Sequence, residues 1–450
     1  MLALSELCYP ILRHGEPNDV LAVQGKRLIS RAEFACDVVE LARLLPARRY
    51  MLNLCTDRYR FLVGFAAGLQ RRQISLLPAS TAPAVLRDLQ VDYPDVYALT
   101  DRPQPDPECP DLDCMEYPVL QSSGGEVALA EVAADQPVLV LFTSGSTGKP
   151  KPVPKCWGPM VRSARAAGQR LGGDALANAT IIGTVPHQHS YGLESMILLC
   201  LQHGLAMDAA WPLYPADIKA ALERSPRPRI LVTTPVHLRA LLSEPGQMPA
   251  VDLVLSATAP LPFEWAVRAE AAFGGALVEI YGCTEAGQVA TRRSARERSW
   301  RCLDGIELQV GEDGVVAKGA AVQGEALLHD QIEPAGDGRF LLGERSADLV
   351  DVAGKRASLA QLNHILCGIP GVQDGVFLSG EDNGPRVARL MALVVAPGLR
   401  KATLVQALRQ QIDAAFLPRP LVLVEALPRN ALGKLPRAAL LDLAREGGAK

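Results

Sequence analysis

The chain has 450 residues, 48% of them hydrophobic and 21% charged, and carries a formal net charge of −3 at pH 7. At a soft prior of about 100–200 residues per domain, this predicts two or three domains whose cores need no disulfides or structural metals. So balanced a charge offers no bulk field for a phosphate backbone and argues against general nucleic-acid binding. The ten cysteines are dilute and form no C-x-x-C pair, Cys109 and Cys114 being the closest. They read as small core residues or inert thiols of a reducing compartment. The opening stretch MLALSELCYPILRHGEP places Glu6 inside its apolar run and has no basic leader, unlike a signal peptide. The longest apolar runs, such as Phe61 to Leu69, reach about half of what a bilayer crossing needs. The expectation is a cytoplasmic protein without a transmembrane segment.

The N-terminal third reads as a mixture of strands and helices without clear punctuation. From Pro137 onward, short apolar runs alternate with amphipathic ones. PVLVLF (Pro137 to Phe142) reads as a buried strand that empties into a Gly/Ser/Thr loop, and Trp157 to Gly172 as a helix. Further strands are predicted at Thr180 to Val185, Arg229 to Thr234, Val251 to Ser256 and Ala276 to Tyr281. Helices are predicted between them, notably Pro235 to Leu242 and Phe263 to Phe273. Such alternation implies βα units around mostly parallel sheets, an α/β class. The pattern changes around Arg345, where a polar, Gly-containing segment, GERSADLVDVAGKR, leads into a compact α+β stretch. The boundary is placed near residues 345–348, giving a large domain over 1–345 and a small one over 346–450. The clearest helix of the small domain is KATLVQALRQQIDAAF. There Leu404, Val405, Leu408, Ile412, Ala415 and Phe416 fall at steps of three and four on one face. No internal repeat or low-complexity tract is present.

The segment LFTSGSTGKPK, Leu141 to Lys151, carries the most chemistry. Backbone N–H groups of a small-residue loop converge on an anion, Ser and Thr hydroxyls add donors, and Lys149 and Lys151 add charge, a set suited to a polyphosphate. A Walker A loop needs Gly at position 143 and Ser or Thr after the lysine; the chain has Thr143 and Pro150. Pro150 also opposes a helix starting at the lysine. Taken alone, the loop is equally well read as an ordinary surface turn.

Three further segments decide between these readings: PHQHSYG (Pro186 to Gly192), YGCTE (Tyr281 to Glu285) and LPRNALGKLPR (Leu427 to Arg437). With SGSTGKPK and ERSADLVDVAGKR they occur in the order, and near the spacings, of the adenylate-forming superfamily. That superfamily contains acyl-CoA synthetases, firefly luciferase and peptide-synthetase adenylation domains. The resemblance covers roughly the last three hundred residues, and residues 1–130 match only loosely. It implies a large domain that binds ATP and acid, a small mobile domain that carries the catalytic lysine, and a two-step reaction. A carboxylic acid attacks the α-phosphate to give an acyl-adenylate and pyrophosphate, and a thiol then takes the acyl group. Such chemistry needs spread negative charge held in place and in-line geometry.

By resemblance, the loop Thr143, Ser144, Gly145, Ser146, Thr147, Gly148 and Lys149 holds the β- and γ-phosphates. Glu285 corresponds to the magnesium-binding glutamate, a hard oxygen ligand for a cation that keeps its waters. Thr284 is implied at the α-phosphate and Tyr281 against the adenine. Asp330 resembles the aspartate that accepts the ribose hydroxyls, with His329 where the family has glycine. Arg345 resembles the ribose-contacting arginine, with Glu344 and Ala347 departing from the usual Gly-Arg-x-Asp-Asp. Ala347 falls at the family's hinge position. Lys434 matches the lysine that bridges substrate carboxylate and α-phosphate, a role suited to a compact mobile charge. The loop around Gly354, with Arg356, is implied in the thiol step. His189 aligns with a residue lining the acyl pocket, and Tyr191 either lines it too or is plain core.

Ala257 and Thr258, in SATAPLP, stand where many members have two glycines, and so add bulk beside the adenine and acyl pocket. The early segment NLCTDRYRFLVGFAAGLQ is similar to small ligases of aryl-polyene and xanthomonadin-type pathways, which implies a hydroxybenzoate-like acid. A medium-chain fatty acid is the alternative, and a non-catalytic adenylate-binding relative is the other class of reading. ATP and Mg2+ are implied, with coenzyme A or the phosphopantetheine of an acyl carrier protein as acceptor. His187 and His189, two apart, lack the further ligands of a zinc site. The run Arg292 to Arg301 reads as a solvated face, or more weakly as a docking patch for a carrier protein or coenzyme A phosphates.

Overall fold

Alternating βα units require parallel sheets covered by helices, and the computed structural model has two such sheets. It describes the chain except residues 1–6, 14, 79–80, 103–111, 122–126, 144–150, 245, 312–313, 346–348, 353–354, 380–389, 431–432 and 449–450. Two compact units result. The larger holds Met1–Gly311, Val316–Leu328 and Ala335–Phe340, and the smaller Glu312–Val315, His329–Pro334 and Leu341–Lys450. No helix among the described residues is long and apolar enough to cross a membrane.

In the first sheet of the larger unit, the strand Tyr50–Asn53 lies between Ile74–Leu77 and Val96–Thr100, and all three are parallel. Pro137–Thr143 joins parallel to Ile74–Leu77. The sheet ends on Lys151–Cys156, antiparallel to Pro137–Thr143 with Thr143 opposite Lys151. This last strand was not legible in the sequence, because Pro152 and Pro154 argue against a strand. Both prolines are exposed on a sheet edge, where a missing N–H breaks no ladder. The strands on either side of the Gly/Ser/Thr loop are therefore antiparallel neighbours, and a strand follows the loop where a P-loop has a helix.

The second sheet is built on strands Ala206–Asp208, Thr180–Gly183, Arg229–Thr233, Leu253–Ser256 and Ala276–Cys283, each parallel to the next. The inner positions of Thr180–Gly183, Arg229–Thr233 and Leu253–Ser256 are Ile, Leu and Val with near-zero exposure, the composition of strands buried on both faces. Helices Pro235–Ser243 and Phe263–Phe273 pack on this sheet through Leu238, Leu241, Ala266, Ala269 and Phe273. The first is started by Thr234, whose hydroxyl accepts from His237 N, with Pro235 at the first helical position.

Arg58 ties the two sheets together. It opens the helix Arg58–Gln70 beside the first sheet, is wholly buried, and donates to the carbonyls of Gly183 (2.9 Å), Val185 (3.0 Å) and Ala210. Burial pushes its guanidinium down to about 10.

The smaller unit packs helices on a three-stranded sheet of Asp374–Ser379, Leu390–Val395 and Leu421–Leu423. The helix expected over 401–416 is shorter: it spans Lys401–Arg409, and a 3-10 turn follows at Ala414–Phe416. Asp413 is the cause. Its carboxylate accepts from Ala415 N at 2.9 Å and starts a new turn at the expense of the old one. Leu404, Leu408 and Phe416 nonetheless share one core, as the spacing required.

Candidate active site

Parallel strands all release their chains at the same edge, so residues far apart in sequence are brought side by side there. Thr180–Gly183, Arg229–Thr233, Leu253–Ser256 and Ala276–Cys283 are consecutive neighbours in the sheet. Directly beyond their carboxyl ends lie the PHQHSYG segment, Thr234 with His237, the pair Ala257–Thr258, and Thr284–Glu285. Ligands of open α/β sheets bind at this edge.

The segments are braced by buried polar contacts. Tyr191 Oη donates toward the carbonyls of Thr233 (3.1 Å) and Leu255 (3.0 Å), tying together the ends of two strands. Its phenol is thus committed to the backbone, and burial raises its pKa. Thr184 Oγ1 lies 2.9 Å from Thr233 Oγ1 and 3.1 Å from His237 Nδ1. Burial lowers the His237 pKa and favours the neutral ring. His189 is half-buried at the start of the helical segment Ser190–Gly192.

His187 belongs to the interior. It has no exposed surface, its Nε2 lies 3.0 Å from the Cys55 carbonyl, and its ring meets Phe61 edge-on at 4.5 Å between centroids. Among the described residues no group of three or more His, Cys, Asp or Glu could hold a metal ion. Burial, assisted by nearby Arg58, pushes the His187 pKa down to about 3 from 6.5. The unfolded chain therefore binds one more proton between about pH 6.5 and about pH 3, and stability falls with pH across that window by about 1.4 kcal/mol per pH unit. Between pH 6.5 and 5.0 the wild type is expected to lose about 2 kcal/mol more than His187→Gln in urea unfolding.

Ala257 is buried, and Thr258 adopts φ +81°. A β-branched residue is an outlier there, since its side chain crowds its own backbone. The strain is held in place by the loop's anchoring: Leu261 N donates to the buried Glu279 carboxylate at 3.2 Å. Thr258→Gly is expected to raise stability by about 1 kcal/mol, from about 2 kcal/mol of relieved strain less about 1 kcal/mol for a freer unfolded chain. Thermal or urea unfolding reads this directly.

Glu279 also corrects part of the expectation of a solvated face over Arg292 to Arg301: Arg296, Arg298 and Arg301 are exposed, and the start of the run is not. Arg292 binds Glu279 at 2.6 Å and lies over the Trp300 ring at 4.4 Å, while Arg293 makes a bidentate pair with Glu270 at 2.8 Å. Ser294 and Trp300 are buried. The first arginines of the run bind carboxylates on the neighbouring strand and helix, which a reading of charge density alone does not reveal.

YGCTE forms the end of a hairpin. Ala276–Cys283 pairs with Gly287–Arg292, Cys283 standing opposite Gly287, and residues 284–286 make the turn. Gly282 is required by proximity, since a Cβ there would lie 2.1 Å from the Gly287 carbonyl oxygen. Tyr281 is buried against Trp300 and Phe340, with ring centroids 5.7 and 5.8 Å away. Glu285 is half-buried, and its carboxylate forms no ion pair among the described residues. Two groups missed in the sequence lie beneath this turn. Lys155 Nζ donates to the Glu285 carbonyl at 2.7 Å, and the Glu194 carboxylate accepts from Ser190 Oγ (2.6 Å) and Gln288 N (2.9 Å). Burial lowers the Lys155 pKa and raises that of Glu194. The cavity between them, about 20 Å³, has room for about one water molecule and is no substrate pocket.

In the smaller unit, Lys434 is exposed on a tight turn. Asn430 Oδ1 accepts from Lys434 N and Asn430 N donates to the Lys434 carbonyl, both at 2.9 Å. Gly433 takes φ +74° between them. Arg429 fixes the turn's base with a bidentate pair to Asp374 (2.7 and 2.8 Å) and a bond to the Gly433 carbonyl. Asp330 begins the strand Asp330–Gly336 and is half-buried. Arg345 ends the strand Arg339–Arg345, and Arg356 lies within Lys355–Ser358. The side chains of Arg345 and Arg356, and all of Ser144 to Lys149, Ala347 and Gly354, lie outside the described part of the chain. Thr143 is described and ends its strand.

The sequence model of the family described as AMP-binding enzyme matches residues 29–319, more than half of the chain. The chain belongs to the AMP-binding enzyme family. This AMP-binding enzyme is 29% identical over 299 residues to the 4-coumarate–CoA ligase of Rhodobacter capsulatus, covering 66% of this chain and 74% of that one. It is 27% identical over 349 residues to a probable 2-succinylbenzoate–CoA ligase of Mycobacterium tuberculosis, covering 70% and 87%. Its fold is that of the o-succinylbenzoate CoA synthetase of Bacillus subtilis in complex with the acyl-adenylate intermediate OSB-AMP, with a TM-score of 0.79, 18% identity and 94% and 95% coverage. ATP-bound MatB from Rhodopseudomonas palustris is similar to the same degree, at 0.80, 18%, 96% and 97%. The α/β class and the large and small parts expected from sequence are those of this fold. The family match stops at residue 319, so Asp330, Arg345 and Lys434 rest on their own motifs.

Proposed function

We propose that this AMP-binding enzyme joins a carboxylic acid to a thiol at the expense of ATP, by way of an acyl-adenylate. The carboxylate oxygen attacks the α-phosphorus, the bond to the β-phosphate breaks, and pyrophosphate leaves. The thiolate sulfur then attacks the acyl carbon, the bond to AMP breaks, and the thiol proton passes to solvent. The observation that carries this reading is the common carboxyl edge, where Thr284–Glu285, Ala257–Thr258 and the PHQHSYG segment emerge from adjacent parallel strands.

In this reading the hairpin loop that follows Thr143 holds the β- and γ-phosphates, Thr284 meets the α-phosphate, and Tyr281 borders the adenine. Asp330 and Arg345 serve the ribose, Lys434 the carboxylate and α-phosphate, and Gly354 and Arg356 the thiol step. A single carboxylate, Glu285, without a surrounding cluster of ligands among the described residues, fits a magnesium ion that keeps its waters and arrives on phosphates. Bound there, the ion supplies charge neutralisation to the polyphosphate.

The acid is proposed to be aromatic and hydroxybenzoate-like. The 4-coumarate and 2-succinylbenzoate ligases among the relatives support this, as does the bulk that Ala257 and Thr258 place where smaller residues are usual. The acceptor is coenzyme A or the phosphopantetheine of a carrier protein. Acid-dependent ATP–pyrophosphate exchange over benzoates, hydroxybenzoates, cinnamates and C4–C16 fatty acids tests the proposal. Exchange with the aromatic acids is expected. Exchange confined to fatty acids overturns the substrate reading, and ATP binding without exchange for any acid overturns the ligase.

A further inference from the structure

We infer that Lys155 and Glu194 are positioning residues that hold the turn between Cys283 and Gly287 so that Thr284 and Glu285 present to the nucleotide and its metal. This inference rests on the proposed role of Glu285 and extends it to two side chains that touch no substrate.

A three-residue turn at a hairpin end has few contacts of its own, and its side chains point only as well as its backbone is fixed. Here the backbone is fixed at the Glu285 carbonyl and again just past the turn, at Gln288. Lys155 points inward from the edge strand Lys151–Cys156, is buried, and donates to the Glu285 carbonyl at 2.7 Å. Glu194 sits in a π-helical stretch, Leu193–Leu198, a geometry found often at functional positions. One oxygen of its carboxylate accepts from Gln288 N at 2.9 Å and the other from Ser190 Oγ at 2.6 Å. Gln288 continues the brace, its amide donating to Ser195 Oγ at 3.0 Å. At Gly287 a Cβ would come 3.1 Å from the Glu194 carboxylate, so the strand passes directly over that group.

Two ionisable side chains are a costly way to fill an interior, because each loses its water and apolar residues of equal volume would serve stability as well. The two do what apolar residues cannot: Lys155 offers a donor to the Glu285 carbonyl within the turn, and Glu194 an acceptor to the Gln288 N–H just past it. Lys155 thereby joins the edge strand just beyond the phosphate-loop hairpin to the glutamate turn of the second sheet.

The test is the affinity for Mg·ATP, measured by titration calorimetry on the full chain, for Lys155→Met, Glu194→Gln and the double variant. Each single variant leaves one buried charge without its counterpart and is expected to lower the melting temperature. The double variant removes both charges and is expected to regain most of that loss. Mg·ATP binding is expected to weaken about tenfold in Lys155→Met and to stay weak in the double variant, with the Mg2+ needed for half-maximal exchange rising in step. Acid KM and thioester formation from supplied acyl-adenylate are expected to hold. Recovery of Mg·ATP affinity together with stability in the double variant overturns the inference, as does wild-type affinity in Lys155→Met. A wild type that binds Mg·ATP yet exchanges with no acid overturns the ligase reading alone, because the affinity comparison still stands. A wild type that binds no Mg·ATP overturns both.

Discussion

Lys434→Ala is expected to lower acid-dependent ATP–pyrophosphate exchange about a thousandfold, the usual loss when one charge-stabilising donor is removed from a transition state. The same variant is expected to form thioester from supplied acyl-adenylate at the wild-type rate. The side chain is exposed, and the turn that carries it is built by other groups: Asn430 bonds the Lys434 backbone on both sides, and Arg429 is locked to Asp374. Truncating Lys434 leaves those backbone contacts in place, so the turn is expected to keep its shape. Single-turnover assays of the two half-reactions check this. Parallel loss of both in a folded variant overturns the assignment of Lys434 to adenylation. Asp374→Ala gives a contrasting outcome, since it releases Arg429 and loosens the turn, and a smaller fall in exchange is expected.

Gly282→Ala is expected to damage the large unit more than any conservative change on its surface. The added methyl would lie 2.1 Å from the Gly287 carbonyl oxygen, a contact with backbone that no rotamer relieves. The hairpin must open, which costs about 3 kcal/mol in stability and displaces Thr284 and Glu285 together. A displacement of about 1 Å at such groups lowers rate about a hundredfold, and exchange is expected to fall at least that far. Thermal unfolding and exchange measured on one preparation separate the two effects. An intact hairpin with full exchange in Gly282→Ala would mean that Thr284 and Glu285 act independently of this turn.

The parallel strands were legible because each is a short run of Val, Ile and Leu ended by a polar break, as in Arg229–Thr233 followed by Thr234. The candidate segments at their ends were legible through their motifs, PHQHSYG and YGCTE, which resemble those of a known superfamily. Three features escaped. No element is predicted over Lys151–Cys156, and only its edge position makes two prolines compatible with a strand. Lys155 and Glu194 drew no reading, because a lysine and a glutamate about forty residues apart give no sign of lying under a common turn. The N-terminal third hid a signal that was available: Ser30 and Glu33 make a capping box, with Ser30 Oγ accepting from Glu33 N at 3.1 Å and Glu33 accepting from Ser30 N at 2.8 Å. The helix Arg31–Leu44 starts there. Tyr191 shows the limit from the other side: its aromatic ring suited a pocket wall as well as core, and only the two strand-end carbonyls decide its use.

The burial of Arg58 bears on the order in which the chain acquires structure during synthesis. Its acceptors at Gly183, Val185 and Ala210 lie 125, 127 and 152 residues downstream. At about 5–20 residues per second, a ribosome takes on the order of ten seconds to deliver them. Throughout that interval the helix that begins at Arg58 has a cation at its head and no carbonyls to receive it. The link that Arg58 makes between the two sheets can therefore close only after Ala210 has been made.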